Sequence, residues 1–127
     1  MERKVISSDG APKPIGPYSQ AIQSGNFIFC SGQIPLDPLT GQLIQGDIAA
    51  QTERILENFE AVLKAAGSSL KQAVKLTVYL TNLGDFDALN KVLMVRFTHE
   101  PPARAVVQVS ALPKNASIEM DLIALKD

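Results

Sequence analysis

The stretch AVKLTVYLT, residues 73–81, alternates strictly: Val74, Leu76, Val78 and Leu80 fall on one side, Lys75, Thr77, Tyr79 and Thr81 on the other. Such a segment is a strand with one polar face, and what flanks it decides the fold. Upstream, DIAAQTERILENFEAVLKAA (47–66) sets Ile48, Thr52, Ile55, Leu56, Phe59, Val62, Leu63 and Ala66 at helical spacing. Asp47 is suited to the N-cap and Gly67 to the stop just past the end. Downstream, DFDALNKVLMVRF from Asp85 repeats Phe86, Leu89, Leu93 and Phe97, and Pro101 and Pro102 close that second helix.

Working outward, ARAVVQVSAL (103–112) and SIEMDLIAL (117–125) both read as strands, separated by PKNA. Towards the N-terminus, YSQAIQS, a Gly25-Asn26 turn and FIFCSG read as a hairpin, and DPLTGQ marks a further turn before the first helix. The order is strand, hairpin, helix, strand, helix, strand, strand, without repeats, low-complexity segments or linkers. This predicts an α+β fold in one domain over residues 1–127, with parallel crossovers and a last strand antiparallel to its predecessor. Both helices are expected on one face of the sheet. The other face, to which Thr77, Tyr79, Val106 and Ile123 are assigned, is too apolar for water and is expected to meet another subunit.

Composition narrows the chemistry. The 127 residues carry one cysteine, Cys30, and one histidine, His99, so there is no disulfide framework and no His/Cys cluster for a transition metal. No carboxylate spacing suggests an EF-hand, and a metal-free chemistry is expected. Net charge is −1 with no run of lysines or arginines, which gives nucleic-acid binding no support. The start, MERKVISSDGAP, has no apolar core of a signal peptide, and no run is long enough to span a bilayer. A cytoplasmic location without membrane partners is the expectation.

Within PPARAVVQV (101–109), Arg104 stands at the mouth of an apolar, β-branched run, on the side of Val106, Gln108 and Ser110. One reading is a rim arginine covering apolar surface with its stem and meeting a nearby carboxylate. The other is a carboxylate receptor, because the planar guanidinium matches a carboxylate with two parallel hydrogen bonds. Glu119 interrupts SIEMDL; it is either a solvated edge carboxylate or, if partly buried, a proton carrier working near neutral pH. With the two residues opening consecutive antiparallel strands, about 20 Å is expected between them, so a shared site would lie between subunits. Tyr18 in GPYSQA, Ser31 and Gly32 in CSGQIP, and Asn90 in the second helix are weaker candidates. Cys30 reads as a small core residue and His99 as a surface loop residue.

PKPIGPYSQA, FCSGQIPLDPLTG, GDIAAQTERILENFEAVLKAAG, VKLTVYLTNLGDF and PPARAVVQVSALPKNASIEMDLIA together resemble the reactive intermediate deaminase (RidA/YjgF-type, Rid) family, in order and over nearly the whole chain. The resemblance implies a chorismate-mutase-like mixed sheet with two helices on one face. It also implies a homotrimer whose sheets form a central barrel, with clefts between subunits. The implied activity is cofactor-free hydrolysis of 2-imino acids and their enamine tautomers (2-iminopropanoate, 2-iminobutanoate) to 2-oxo acids and ammonia. Carried over by position, Arg104 binds the substrate carboxylate and Glu119 handles water, while Tyr18, Ser31, Gly32 and Asn90 line the substrate site. Val106, where relatives often have cysteine, Leu93, where they often have tyrosine, and a short loop before Pro101 are departures that bear on substrate preference. Two other readings stand beside it: a protein that uses the same cleft to bind 2-oxo acids or other small carboxylates without turnover, and, as a third class, an RNA-cleaving translation inhibitor. The last requires a basic stripe that the sequence does not contain.

Overall fold

The computed structural model describes residues 2–127. Its elements are β1 (Arg3–Ile6), β2 (Ala21–Ser24), β3 (Phe27–Gln33), α1 (Ile48–Ala65), β4 (Ala73–Leu80), α2 (Phe86–Arg96), β5 (Ala103–Gln108) and β6 (Ile118–Leu125). The order matches the sequence reading, and the leading strand, which that reading left without bounds, is β1. Gly25 supplies the left-handed residue (φ 58°) that the β2–β3 turn needs.

Helix α1 begins where Asp47 accepts a hydrogen bond on Oδ1 from the Ala50 amide at 2.9 Å, a cap worth about 1 kcal/mol. It ends in a Schellman motif: Gly67 at φ 76° lets its own amide reach the Lys64 carbonyl and the Ser68 amide reach Leu63. Ile55, Leu56, Phe59, Val62 and Leu63 are fully buried along one stripe. Truncating Phe59 to alanine would cost about 3–5 kcal/mol. Helix α2 adds Leu89 and Leu93 to the same core and is tied to α1 by Arg96, which pairs with Glu53 at 2.6 Å and with Glu60.

The six strands form one mixed sheet in the order β1-β2-β3-β6-β4-β5, in which β4 and β5 are parallel and the other pairings antiparallel. One expectation changes here, the pairing of the last two strands. Strands β5 and β6 run in opposite directions but are not neighbours, because β6 inserts between β3 and β4; the β3–α1–β4 connection therefore crosses over a strand that comes last in the chain. The reason lies in β6 itself. Ile118, Met120, Leu122 and Ala124 are all buried, which makes it a central strand, whereas β5 is exposed at both ends and forms the edge.

Both helices share the core with Ile28, Cys30, Leu76, Val78, Leu80 and the buried residues of β6, so they cover a single face. Val106 is paired with Val78 and packs against that core, which corrects its assignment to the opposite face. Val74 likewise leaves the buried row. A bulge between Ala73 and Lys75 lets Ala73 take the inward place and turns Val74 outward. The helix-free face is apolar through other residues: Phe27, Phe29 and Val107 are exposed at 44%, 45% and 43%, beside a half-buried Ile123. The rings of Phe27 and Phe29 lie 6.3 Å apart.

Candidate active site

Glu119 is the first outward-facing residue of β6. Its carboxyl enters a cleft of about 490 Å³ walled by the end of β3, the segment after it, the loop carrying Pro12, Ile15 and Tyr18, and the turn at Pro113 and Lys114. A bulge opens this cleft. Between Cys30 and Gln33 the β3–β6 register shifts, so Ser31 and Gly32 together oppose one residue of β6. Ser31 is tied back towards β2, its amide donating to the Gln20 carbonyl at 3.0 Å and its Oγ to the Ser19 carbonyl at 2.6 Å. Gly32 then sits against the carboxyl: a Cβ there would lie 2.6 Å from Glu119 Oε2 and 3.1 Å from Cδ. No left-handed backbone is involved, so the requirement for glycine is steric.

The pKa of Glu119 is raised above the ordinary glutamate range, first by burial and second by the negative charge of Asp121. Tyr18 stands half-exposed at the cleft mouth, its hydroxyl accepting a 3.4 Å hydrogen bond from the Ile15 amide after Gly16 turns the chain at φ 124°. Tyr18, Ser31, Gly32 and Glu119 are thus brought together.

Arg104 and Asn90 are elsewhere. Arg104 is paired with Leu76, so its side chain projects to the helix side of β5. There Asn90 Oδ1 accepts from Arg104 Nη1 at 2.5 Å, and the guanidinium lies 5.4 Å over the Phe86 ring. Among the described residues no carboxylate pairs with Arg104. The pair lines a second pocket of about 350 Å³ whose other walls, including Leu93, Phe97 and Pro102, are apolar. The rim-arginine reading required a carboxylate partner; the guanidinium instead has a neutral amide and an aromatic face, which leave its charge unneutralised.

The two halves cannot meet within one chain. Glu119 is opposite Tyr79 and Arg104 opposite Leu76, with β4 between them. That offset is three residues along the strands and two strand spacings across, about 14 Å, and the side chains leave opposite faces. The separation is smaller than the 20 Å expected, because β5 and β6 are not paired, but it leads to the same conclusion.

Cys30 is buried and its thiol is pushed up to about 12 by desolvation, consistent with a core role. His99 is exposed after α2. No group of three or more His, Cys, Asp and Glu side chains that could hold a metal ion occurs among the described residues, and no helix among them is long and apolar enough to cross a membrane.

Of the buried amides that the sequence reading does not single out, Gln20, Gln33 and Asn58, two fix walls of the cleft. Gln20 accepts from the Ser8 amide at 2.6 Å and donates to the Pro12 carbonyl at 2.9 Å, fixing the loop that forms one cleft wall. Asn58 donates from α1 to the Leu36 carbonyl at 3.0 Å and fixes another. Asn58 did leave a signal, a polar residue inside the apolar stripe of a helix, which normally means a dedicated partner.

Comparison with known proteins agrees with this architecture. The family model described as Endoribonuclease L-PSP matches residues 8–126. A RutC family protein of Pyrococcus abyssi is 54% identical over 100% of both chains. The human 2-iminobutanoate/2-iminopropanoate deaminase is 44% identical, covering 98% of this chain and 90% of its own. The crystal structure of E. coli TdcF with bound serine superposes with a TM-score of 0.92 at 39% identity, over 98% of this chain and 99% of the other. The chain belongs to the RidA/YjgF family.

Proposed function

We propose that the protein hydrolyses small 2-imino acids to 2-oxo acids and ammonia, in sites formed where the Arg104 half of one copy meets the Glu119 half of another. The observation that carries this reading is the division of labour itself. An unneutralised, pre-oriented guanidinium and a shielded carboxyl of raised pKa are what a small iminium carboxylate requires, and neither half suffices alone. The apolar helix-free face and the open edge of β5 supply surfaces for a homotrimer whose sheets close into a barrel.

In the assembled site Arg104 grips the substrate carboxylate through two hydrogen bonds and fixes C2. Glu119 takes a proton from water as the oxygen bonds to C2 and the C=N pair moves to nitrogen, giving a neutral carbinolamine. The protonated Glu119 then returns its proton to that nitrogen. As the C–N bond breaks, the hydroxyl oxygen becomes the carbonyl and its proton leaves with the departing amine as ammonium. A carboxyl titrating above the ordinary glutamate range serves both as base and as acid in this sequence. A backbone carbonyl of the Ser31-Gly32 bulge receives the iminium N–H and Tyr18 orients the ligand. Activated by its own positive charge, the substrate needs orientation and electrostatic help, so no cofactor enters.

Bound serine in the E. coli relative favours a second reading, a receptor for small carboxylates without turnover. One assay separates the two. With 2-aminoacrylate and its homologue generated in situ by a dehydratase, the protein accelerates release of ammonia and oxoacid, and Arg104→Ala lowers that rate at least about 100-fold with the assembly intact. Binding without acceleration, or an unaltered rate in the variant, overturns the proposal.

A further inference from the structure

Beside Glu119 the outward face of the sheet carries two more titratable side chains that no step above uses. Asp121 is the next outward residue of β6, and Tyr79 on β4 is directly opposite Glu119. Tyr79 does not point its hydroxyl at Glu119. It reaches diagonally and donates to Asp121 Oδ2 at 2.9 Å, holding that carboxylate on the face it shares with Glu119.

From this cluster we infer that Asp121, tethered by Tyr79, is a positioning residue for the proton held by Glu119: its fixed negative charge keeps Glu119 proton-accepting at the pH where it must also donate. The inference rests on the acid–base role assigned to Glu119 above. In the assembled site proposed above, Arg104 of another copy adds a cation to the groups facing the Glu119 carboxyl; the others belong to the same chain. The turn before β6 contributes Lys114, whose Nζ donates to the Gly41 carbonyl at 3.2 Å. The N-terminal loop contributes Tyr18, and β3 contributes only the uncharged Ser31, Gly32 and Gln33. Lys75, the remaining charge on the outward face of β4, lies opposite Ile123, further along the strand than Asp121. Asp121 is therefore the one anion on this face next to Glu119 among the described residues. Burial of Glu119 and the charge of Asp121 act in the same direction on its proton, burial being the larger. Removing the charge should consequently shift the behaviour of Glu119 without returning it to that of a free carboxyl.

The test uses the intact protein and two readouts. Carboxyl-carbon NMR of ¹³C-labelled glutamate follows the Glu119 titration without substrate, assigned by its loss in Glu119→Gln; the pH profile of kcat/KM follows it in turnover. Asp121→Asn is isosteric and still accepts from Tyr79. It is expected to move both the titration and the acidic limb about one pH unit lower, whereas Asp121→Glu keeps them near wild type. Tyr79→Phe, which releases the tether, moves them the same way by less. A Glu119 titration identical in wild type and Asp121→Asn overturns the inference. If the titration moves and the activity limb does not, the coupling stands but Glu119 is not the proton carrier, and the reading of the site fails instead.

Discussion

The two pockets of this molecule hold opposite charges by opposite means. In the Glu119 cleft a carboxyl is partly withdrawn from water against a glycine and a like-charged neighbour, so the charged form is disfavoured and the proton is held into a higher pH range. At the Arg104 pocket the guanidinium is exposed and permanently charged, and an amide and an aromatic ring aim it without neutralising it. In the proposed function the first half exchanges a proton and the second holds an anion still. On the reading proposed above, the contrast is why one chain would supply only half of each site.

The sharpest way to break the comparison is at Gly32. An added methyl group meets the Glu119 carboxyl first, at 2.6 Å, so Gly32→Ala is expected to lower kcat about 50-fold by displacing that carboxyl. Wild-type kcat in that variant would mean the carboxyl does not work from its observed place. On the cationic side, Asn90→Ala removes the amide that aims Arg104 and leaves its charge, so the expected loss is about tenfold and falls mainly on KM. A loss confined to kcat would give Asn90 a part in the chemistry instead.

The smallest expected effect concerns stability. Because Glu119 binds its proton more tightly in the folded chain than in the unfolded one, its contribution to stability is full below the ordinary glutamate range and is lost as pH rises through the raised folded value. Glu119→Gln, always neutral, should therefore exceed wild type in Tm at pH 8, with the gap closing in acid. Thermal melts across that range check it, and a gap independent of pH would contradict it.

Much of this was legible in the sequence because the signals were local. Asp47 and Gly67 bound α1, the Gly25-Asn26 turn defines the hairpin, and the alternation of 73–81 marks β4. What could not be read was non-local. Nothing near SIEMDLIAL says that it slides between β3 and β4 rather than pairing with β5; that choice reflects the burial of its whole inward row. The bulge at 73–75 that expels Val74, and the facing of Val106, follow from register and not from alternation alone. In the candidate site, the separation of Arg104 from Glu119 was legible from strand direction, but not which of Tyr18, Ser31, Gly32 and Asn90 stands with which, nor the contact between Gly32 and Glu119. Asp121 reads as an ordinary solvent-facing acid until its hydrogen bond with Tyr79 is seen.

Active-site complementation tests the central claim most directly. Arg104→Ala and Glu119→Gln chains carrying different tags are co-expressed, and mixed assemblies, trimers in the arrangement proposed above, are isolated by both tags in succession. Sites shared between copies require each mixed trimer to contain one intact site, so activity should return to about one third of wild type from two parents that are each nearly inactive. Mixed trimers no more active than their parents would contradict the account.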